Sequence, residues 1–210
     1  MDLSVTMQHY FLAFTNPIAG READFNEWYD SCHVGEVLRY GRGFVGCQRF
    51  KLSEEPLAGS QPPWQYLALY DIRYDDLTEF AERPWIEGAP RLTSFQGLLE
   101  DDHVGWVFTP QETPPAPGKR ALQPFQLLLA WSTGRLGDNF IFDKASIARR
   151  GAAAHPCGLA TPQRRAQQDS PWAGLVIYEL APQEANPPLA GFESAWRFVP
   201  ISPYIPRSDV

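Results

Sequence analysis

The chain has 210 residues, of which 44% are hydrophobic and 13% aromatic, and its formal net charge is −7 at pH 7. This length suits one large domain or two domains of about 100 residues, with enough apolar content for a packed core. The acidic balance argues against non-specific binding to nucleic acid, because no basic face is available to replace the counterions on phosphates. We therefore expect a globular protein with no nucleic-acid partner.

Cysteine usage and hydropathy point to a protein of the cytoplasm. Cys32, Cys47 and Cys157 are odd in number and show no CxxC spacing, which favours reduced thiols over a disulfide framework. No segment approaches the 18 or more apolar residues of a membrane span. Residues 1–4 lack the basic segment that begins a secretion signal. The sequence thus predicts a cytoplasmic location and no membrane partner.

Apolar periodicity predicts six elements in the first half of the chain. In order they are a strand at Met7–Thr15, a helix at Arg21–Tyr40, strands at Phe44–Leu52 and Trp64–Arg73, a short helix at Asp75–Arg83 and a strand at His103–Thr109. The apolar residues that share one face of the long helix are Phe25, Trp28, Tyr29 and Cys32. If the α-helical spacing continues, Val34, Val37 and Leu38 do not lie on this face. Gly41 and Gly43 are expected to end this helix.

A stretch rich in proline and glycine, Pro110–Pro124, divides the chain almost in half and predicts a semi-rigid linker. Four segments of the second half match segments of the first half in the same order, which predicts an internal repeat. They are Phe125–Ser132 with His9–Thr15, Gln163–Arg164 with Gln48–Arg49, Leu175–Glu179 with Leu67–Asp71, and Trp196–Pro200 with Trp106–Pro110. In this second copy we expect a compressed helix near Asp138–Arg150 and a barely formed one near Glu184–Phe192.

The element order predicts an α+β fold made of two tandem ferredoxin-like β-α-β-β-α-β units. The first unit is expected to span residues 1–112, the linker 113–123, and a second, degenerate unit 124–210. Each unit would cover one sheet face with helices and leave the other face apolar. Packing the two bare faces together within one chain would form an intramolecular α+β barrel. A monomer and a homodimer are both compatible with this arrangement.

The segment from Asn16 to His33, followed by Gly43–Phe50, resembles the dimeric α+β barrel superfamily and, within it, the EthD-like proteins. The shared pattern is an acidic helix with Trp28 and Tyr29, a histidine four residues after the tyrosine, and a glycine-led strand ending in an arginine. The superfamily includes cofactor-free cyclases, isomerases, dehydratases and monooxygenases, and some heme enzymes. The resemblance implies a barrel with a small-molecule cavity. Because the second half lacks this pattern, we expect one principal site, on the side of the first half.

His33 and Tyr29 are the first candidates for chemistry, since they lie one helical turn apart. A histidine near its ordinary pKa can take and return a proton at neutral pH while the tyrosine holds a substrate oxygen. Alternatively, His33 packs under the C-terminus of the helix and donates to a backbone carbonyl. The match to the family pattern makes these two interpretations about equal.

The first strand supplies the next candidates. Alternation places His9, Phe11 and Ala13 on one face, and if that face lines the cavity, His9 points into it. The position of His9 also resembles the first-strand histidine that binds substrate in barrel-type polyketide cyclases. The alternative is a histidine at the solvent edge of the strand. Phe11 and Trp28 would line the pocket, which suits a flat hydrophobic ligand.

Arg49 and Arg164 hold equivalent positions in the repeat, where each could bind a carboxylate or an enolate. The alternative is an ion pair with Asp71 or Glu179 on a neighbouring strand. Two further histidines have structural interpretations: we expect His103 at the surface and His155 in a loop. No histidine spacing typical of a metal site is present, and no phosphate-binding loop or hydrolase elbow occurs.

These features together predict a cofactor-independent lyase or isomerase that performs dehydration, cyclisation or proton transfer. The substrate would be a hydrophobic, oxygenated small molecule of secondary or catabolic metabolism. The catalytic residues would be His33, Tyr29 and His9, and the substrate-binding residues would be Trp28, Phe11 and Arg49. The alternatives are a cofactor-free or heme-dependent oxygenase of the same fold and a non-catalytic binding protein.

Overall fold

The computed structural model describes residues 7–54, 57, 59, 62–74, 92–94, 97–110, 126–132, 147–155, 174–180, 185–187 and 189–209. Their strands are β1 (Met7–Thr15), β2 (Phe44–Leu52), β3 (Tyr66–Tyr74), β4 (Val104–Pro110), β5 (Gln126–Ser132), β6 (Ile147–His155), β7 (Gly174–Leu180), β8 (Ser194–Pro200) and β9 (Ile205–Pro206). One helical segment joins β1 to β2 and consists of α1 (Glu22–Trp28), a π-helical turn (Tyr29–His33) and α2 (Val34–Tyr40). The predicted helix at Asp75–Arg83, the linker at 113–123 and the segment Gln163–Arg164 lie outside the described residues.

All the strands pair antiparallel within one curled sheet, which confirms the predicted α+β class. The pairings run β3-β1-β4-β6-β7-β5-β8-β2, and β2 pairs in turn with β3, so the series returns to the strand where it began. Strand β9 adds to the free part of β2. Within the described part of the chain, no helix is long and apolar enough to cross a membrane.

The strand order repeats itself along the chain. The first four strands lie in the order β4-β1-β3-β2, and the next four lie in the corresponding order β8-β5-β7-β6. The two groups meet where β4 pairs with β6 and where β2 pairs with β8. The two edge strands of one group therefore pair with the two edge strands of the other group.

Strand β6 corrects two predictions. Ile147–His155 pairs with β7 on one side and with β4 on the other, so a helix that includes 147–150 is wrong. His155 ends this strand and does not lie in a loop. Alanine and arginine are good helix formers, but pairing on both sides of a strand overrides such local preference. In the repeated strand order, β6 corresponds to β2. The repeat comparison had assigned that position to a strand around Gln163–Arg164.

The weak helix predicted near Glu184–Phe192 is also absent from the described residues of that stretch. A turn at Ala190–Gly191 precedes β8, and the Phe192 amide donates to the Leu189 carbonyl. Gly191 has a φ of 92°, a conformation that glycine adopts without strain and that would end a helix here.

Aromatic side chains fill the described part of the sheet's interior. Tyr10, Leu12 and Phe14 of β1 point inward and pack against residues from both groups of strands. The interior aromatic residues they join are Phe50, Trp64, Trp106, Phe108, Trp131, Trp196 and Phe198. The rings of Trp131 and Trp196 lie 5.1 Å apart and those of Phe14 and Trp64 lie 5.4 Å apart. Such close packing of large apolar surfaces is the main force that holds the sheet closed.

The π-helical turn changes which residues of the helical segment are buried. At 100° per residue, Val34, Val37 and Leu38 would lie about half a turn away from Phe25 and Trp28. All five are buried in one core cluster. The turn inserts one extra residue between α1 and α2, and this rotates α2 by about 100° relative to α1. The sequence prediction that the two sets face different ways is therefore wrong.

The segment after β8 crosses the end of the sheet and joins it to α2. Strand β9 pairs with Gly46 and Cys47 of β2. The Tyr204 hydroxyl donates to the fully buried carboxylate of Asp71 at 2.9 Å. The Arg207 guanidinium donates to the carbonyls of Arg39, Gly41 and Phe44, at and just beyond the C-terminal end of α2. A cation at this position stabilises a helix because it satisfies carbonyls that have no partner within the helix.

Candidate functional site

The six candidate residues from the sequence lie in one layer, between the helical segment and the outer face of the first four strands. Phe11, Trp28 and Tyr29 belong to the same buried cluster, and Arg49 lies over the ring of Tyr29. His9 is buried on the same face of β1 as Phe11. The face of β1 that carries His9 and Phe11 thus faces the helix, and the other face of β1 packs in the interior of the curled sheet.

His33 lies in the π-helical turn and is half-buried. Its ring stacks on Trp28 with centroids 4.5 Å apart and meets Tyr29 edge-on at 4.9 Å. Residues five apart come together here because a π-helical turn brings position i+5 above position i. His33 is in the middle of the helical segment, which continues to Tyr40.

Arg49 is 2% exposed and is held by groups on the helical segment. Its guanidinium donates to the Asp30 carboxylate at 2.7 Å and to the side-chain oxygen of Asn26 at 2.7 Å. The guanidinium carbon lies 4.3 Å from the ring centroid of Tyr29. The predicted alternative, an ion pair with Asp71, is wrong, because Asp71 is on the opposite face of the sheet and accepts from Tyr204. The arginine fixes the position of Tyr29 above the sheet.

Cross-strand registers arrange the outer face of the sheet in rows. One row contains Cys47, Tyr70, Phe11 and Val107, which are paired in that order across β2, β3, β1 and β4. The next row continues from Arg49 through three small residues, which are Ala68, Ala13 and Gly105. Ala13 is partly exposed, although its neighbours along β1 are buried. The small side chains therefore lie directly beside the aromatic row, and Ala13 is partly exposed among them.

Tyr70 is a member of this layer that the sequence analysis did not identify. It is 1% exposed, its ring lies 5.9 Å from Phe11, and its hydroxyl lies beside the Tyr29 hydroxyl and the Cys47 thiol. Burial, followed by the nearby Tyr29 hydroxyl and Cys47 thiol, raises the pKa of Tyr70 well above its ordinary value. Side chains alternate along β3, and Tyr70 lies on the same face of the sheet as Phe11. This alternation could have identified Tyr70 from the sequence.

Residues 92–94 and 97–100 close one side of this layer. The Trp28 indole nitrogen donates to the Thr93 carbonyl at 3.4 Å, and the backbone nitrogen of Thr93 donates to Glu36 at 2.9 Å. Leu98 accepts from the Ile18 amide at 3.0 Å. These bonds tie the segment both to the helix and to the loop after β1, so it is held against the cluster that contains Trp28.

The two remaining histidines come from the segment before β4 and from β6, where His155 pairs with Val107 of this layer. His103 precedes β4 and its Nδ1 lies 2.9 Å from the Glu100 carbonyl, and His155 ends β6. Among the described residues, no group of three or more His, Cys, Asp or Glu side chains is placed to hold a metal ion. Arg164 and Cys157 lie outside the described residues.

Cys47 and Cys32 provide a chemical test of this packing. Burial raises the pKa of the Cys47 thiol well above its ordinary value, whereas Cys32 is only half-buried. Iodoacetamide at pH 8 should modify Cys32 and spare Cys47, because only a thiolate reacts and each unit by which the pKa exceeds the pH lowers its fraction about tenfold. Peptide mass spectrometry would measure both rates, with the protein in denaturing urea as control. Equal rates in the native protein would contradict the burial of Cys47.

Comparison with known proteins yields a match of fold. No family model matches the chain, and no curated protein matches it. A crystal structure from Fusobacterium nucleatum subsp. nucleatum, named "Putative monooxygenase", matches with a TM-score of 0.51 and 6% sequence identity. The match covers 93% of this chain and 92% of that one. At this identity the similarity concerns the path of the backbone and not the chemistry of the site.

Proposed function

We propose that the chain consists of two tandem ferredoxin-like units, residues 1–112 and 124–210, that form an intramolecular α+β barrel. The repeated strand orders, β4-β1-β3-β2 and β8-β5-β7-β6, support this proposal. So does the mutual pairing of the group edges, which leaves each group dependent on the other. The EthD-like pattern in the first half makes that half the carrier of the site.

The proposed activity is cofactor-independent proton transfer, of the lyase or isomerase type, on a hydrophobic oxygenated small molecule. The observation that carries it is the position of His33. Its ring is held between Trp28 and Tyr29 at the partly exposed end of an otherwise buried aromatic layer. An imidazole held in this way can remove a proton from a substrate carbon and return it, while aromatic rings hold the apolar body of the substrate.

The other candidates take supporting roles in this proposal. Tyr29 orients a substrate oxygen, and His9 acts from the sheet side of the same layer. Trp28 and Phe11 line the binding space. Arg49 keeps Tyr29 in place, since its own guanidinium is already bonded to Asp30 and Asn26. These roles place one principal site in the first half of the chain.

An isotope experiment tests the proton transfer without knowledge of the natural substrate. The protein would be incubated in D₂O with enolisable aromatic ketones such as 2-tetralone, and deuterium at the carbon beside the carbonyl would be followed by NMR. His33 would accept the C–H proton to give an enolate, exchange that proton for a deuteron from D₂O, and return the deuteron to the same carbon. The His33→Gln variant should lose at least about a hundredfold in exchange rate, the usual contribution of a general base.

The matched control is His103→Gln, which changes a histidine outside the layer and should leave exchange unaltered. Circular dichroism would verify that both variants retain the sheet. Exchange that persists in His33→Gln, or the absence of exchange above the buffer rate in the natural protein, would contradict the proposed chemistry.

The second candidate is an oxygenase of the same fold, the class that the name of the Fusobacterium structure gives for that protein. Such an enzyme would be cofactor-free or would bind heme. Oxygen consumption with electron-rich phenols, together with a visible absorption band in the purified protein for the heme form, would support this alternative. Binding of the same compounds with neither exchange nor oxygen uptake would favour a non-catalytic binding protein.

A further inference from the structure

Thr93 lies against the helical segment and bonds to it on both sides of the π-helical turn. Before the turn, the Trp28 indole nitrogen donates to the Thr93 carbonyl at 3.4 Å. After the turn, both carboxylate oxygens of Glu36 accept from Thr93, one from the backbone nitrogen at 2.9 Å and the other from the hydroxyl at 2.5 Å. A single residue from the chain between β3 and β4 therefore bridges α1 and α2.

The bridge spans the part of the helical segment that carries His33. Within the turn, the Val34 amide donates to the Tyr29 carbonyl five residues earlier, instead of four as in an α-helix. Turns of this kind are rare and occur mostly as single turns within α-helices. Contacts that hold both flanking helices therefore help to select this conformation over a regular helix.

The bridge reaches His33 through the indole of Trp28. The imidazole stacks on this indole with centroids 4.5 Å apart and planes inclined by 23°. The bond to the Thr93 carbonyl fixes the orientation of the indole, because rotation of the ring would break it. Since Thr93 is held in turn by the Glu36 carboxylate, that carboxylate acts on the imidazole through two intermediate contacts.

We infer that Glu36 and Thr93 are positioning residues that set the orientation of the His33 imidazole. The inference rests on the proposed function, in which this imidazole moves a proton from and to a substrate carbon. Neither residue needs to contact the substrate, and Thr93 is exposed. Proton transfer depends on alignment, and a shift of about 1 Å in a catalytic group can cost about a hundredfold in rate.

Nuclear magnetic resonance of the histidine ring protons tests the orientation without turnover. Protons that lie over an indole are displaced upfield by its ring current, so the His33 signals should be displaced and should return downfield in Trp28→Leu. The His33→Gln variant identifies these signals by their loss. In Glu36→Ala, which removes both bonds to Thr93, the displacement should shrink toward the value in Trp28→Leu.

Three further variants grade this effect. Thr93→Val removes only the hydroxyl bond, and Glu36→Gln keeps an oxygen that can accept from the Thr93 amide, so both should lose less of the displacement than Glu36→Ala. Because Thr93 is exposed, Thr93→Val also provides a second measurement if Glu36→Ala folds poorly. Glu27→Ala is the matched control, since it removes an exposed carboxylate from the same helical segment and should leave the signals unaltered.

The exchange assay supplies a kinetic measurement of the same role. At saturating ketone, Glu36→Ala should lower the exchange rate about 10- to 100-fold. The ketone concentration that gives half of the maximal rate should stay unchanged, because Glu36 acts on His33 and not on the bound substrate.

An unchanged His33 displacement in Glu36→Ala would overturn the inference, and so would an equal change in Glu27→Ala. If exchange depends on His33 but the displacement does not depend on Glu36, the proposed function stands and the roles of Glu36 and Thr93 are rejected. If the displacement depends on Glu36 but the natural protein exchanges no deuterium, the positioning of the ring stands and the proposed function fails.

Discussion

Replacement of Trp131 with alanine is expected to lower the free energy of unfolding by about 4 kcal/mol, the usual range for removing a fully buried tryptophan being about 3 to 5 kcal/mol. Trp131 is 0% exposed and lies on β5, where it meets aromatic rings from both groups of strands. Its centroid is 5.7 Å from Phe108, 6.1 Å from Phe14 and 5.1 Å from Trp196. The cavity would therefore open where the two halves of the sheet interlock.

Urea denaturation followed by far-UV circular dichroism would measure this loss. Trp131→Phe retains most of the apolar volume and should cost less than half as much as Trp131→Ala. Ile201→Ala is the control, since that side chain is 39% exposed and its truncation should change stability by no more than about 0.5 kcal/mol. A loss below about 1 kcal/mol for Trp131→Ala would mean that the interior is not packed as described.

The second large effect is expected at Arg49. Arg49→Met keeps an apolar side chain of similar length but removes the bonds to Asp30 and Asn26 and the contact with the Tyr29 ring. We expect a loss of about 2 to 4 kcal/mol, because Arg49 is buried and the helical segment is anchored to β2 through it. Asp30 is 45% exposed, so water can solvate the carboxylate that has lost its arginine partner, and this keeps the loss of stability within this range.

Lys51→Met is the matched control on the same face of β2. Lys51 pairs with Glu22 at 2.8 Å, but both side chains are about half exposed, so its removal should cost less than about 1 kcal/mol. Arg49→Lys should fall between the two, since one ammonium cannot reproduce the planar geometry that bonds Asp30 and Asn26 together. Equal losses in Arg49→Met and Lys51→Met, measured by urea denaturation, would show that burial of the arginine does not matter.

Elements with strong local patterns were predicted well from the sequence. The bounds of β1 and β2 are those expected from apolar residues and their flanking turns, and β3 and β4 differ by one or two residues. β6 was missed because its composition favours a helix and only its partners on both sides make it a strand. Non-local pairing leaves no trace in a single strand of this kind.

In the candidate site too, the sequence predicted what depends on nearby residues and missed what depends on contacts between distant ones. Helical spacing alone brought Trp28, Tyr29 and His33 together, but nothing in the sequence marks the one-residue insertion that stacks His33 on Trp28. The alternation of β1 grouped His9 with Phe11, yet which side of the sheet they face depends on where the helix packs. The bond from Arg49 to Asp30 joins residues 19 apart, and the spacing of residues along the chain gave no reason to pair them.

The segment after β8 has a consequence for the order in which the protein is assembled. Residues 46–52 of β2 find their neighbours on one side only at residues 198–206, about 150 residues later in the chain. Contacts that span such distances form slowly, because much of the chain must be ordered before they yield any stabilisation.

During synthesis on the ribosome, β2 therefore emerges long before its partners β8 and β9 exist. Until then its edge and the carbonyls at the end of α2 remain open, because β8, β9 and Arg207 are synthesised later. The first half of the chain thus waits with an exposed strand edge, which is the kind of surface that recruits other chains.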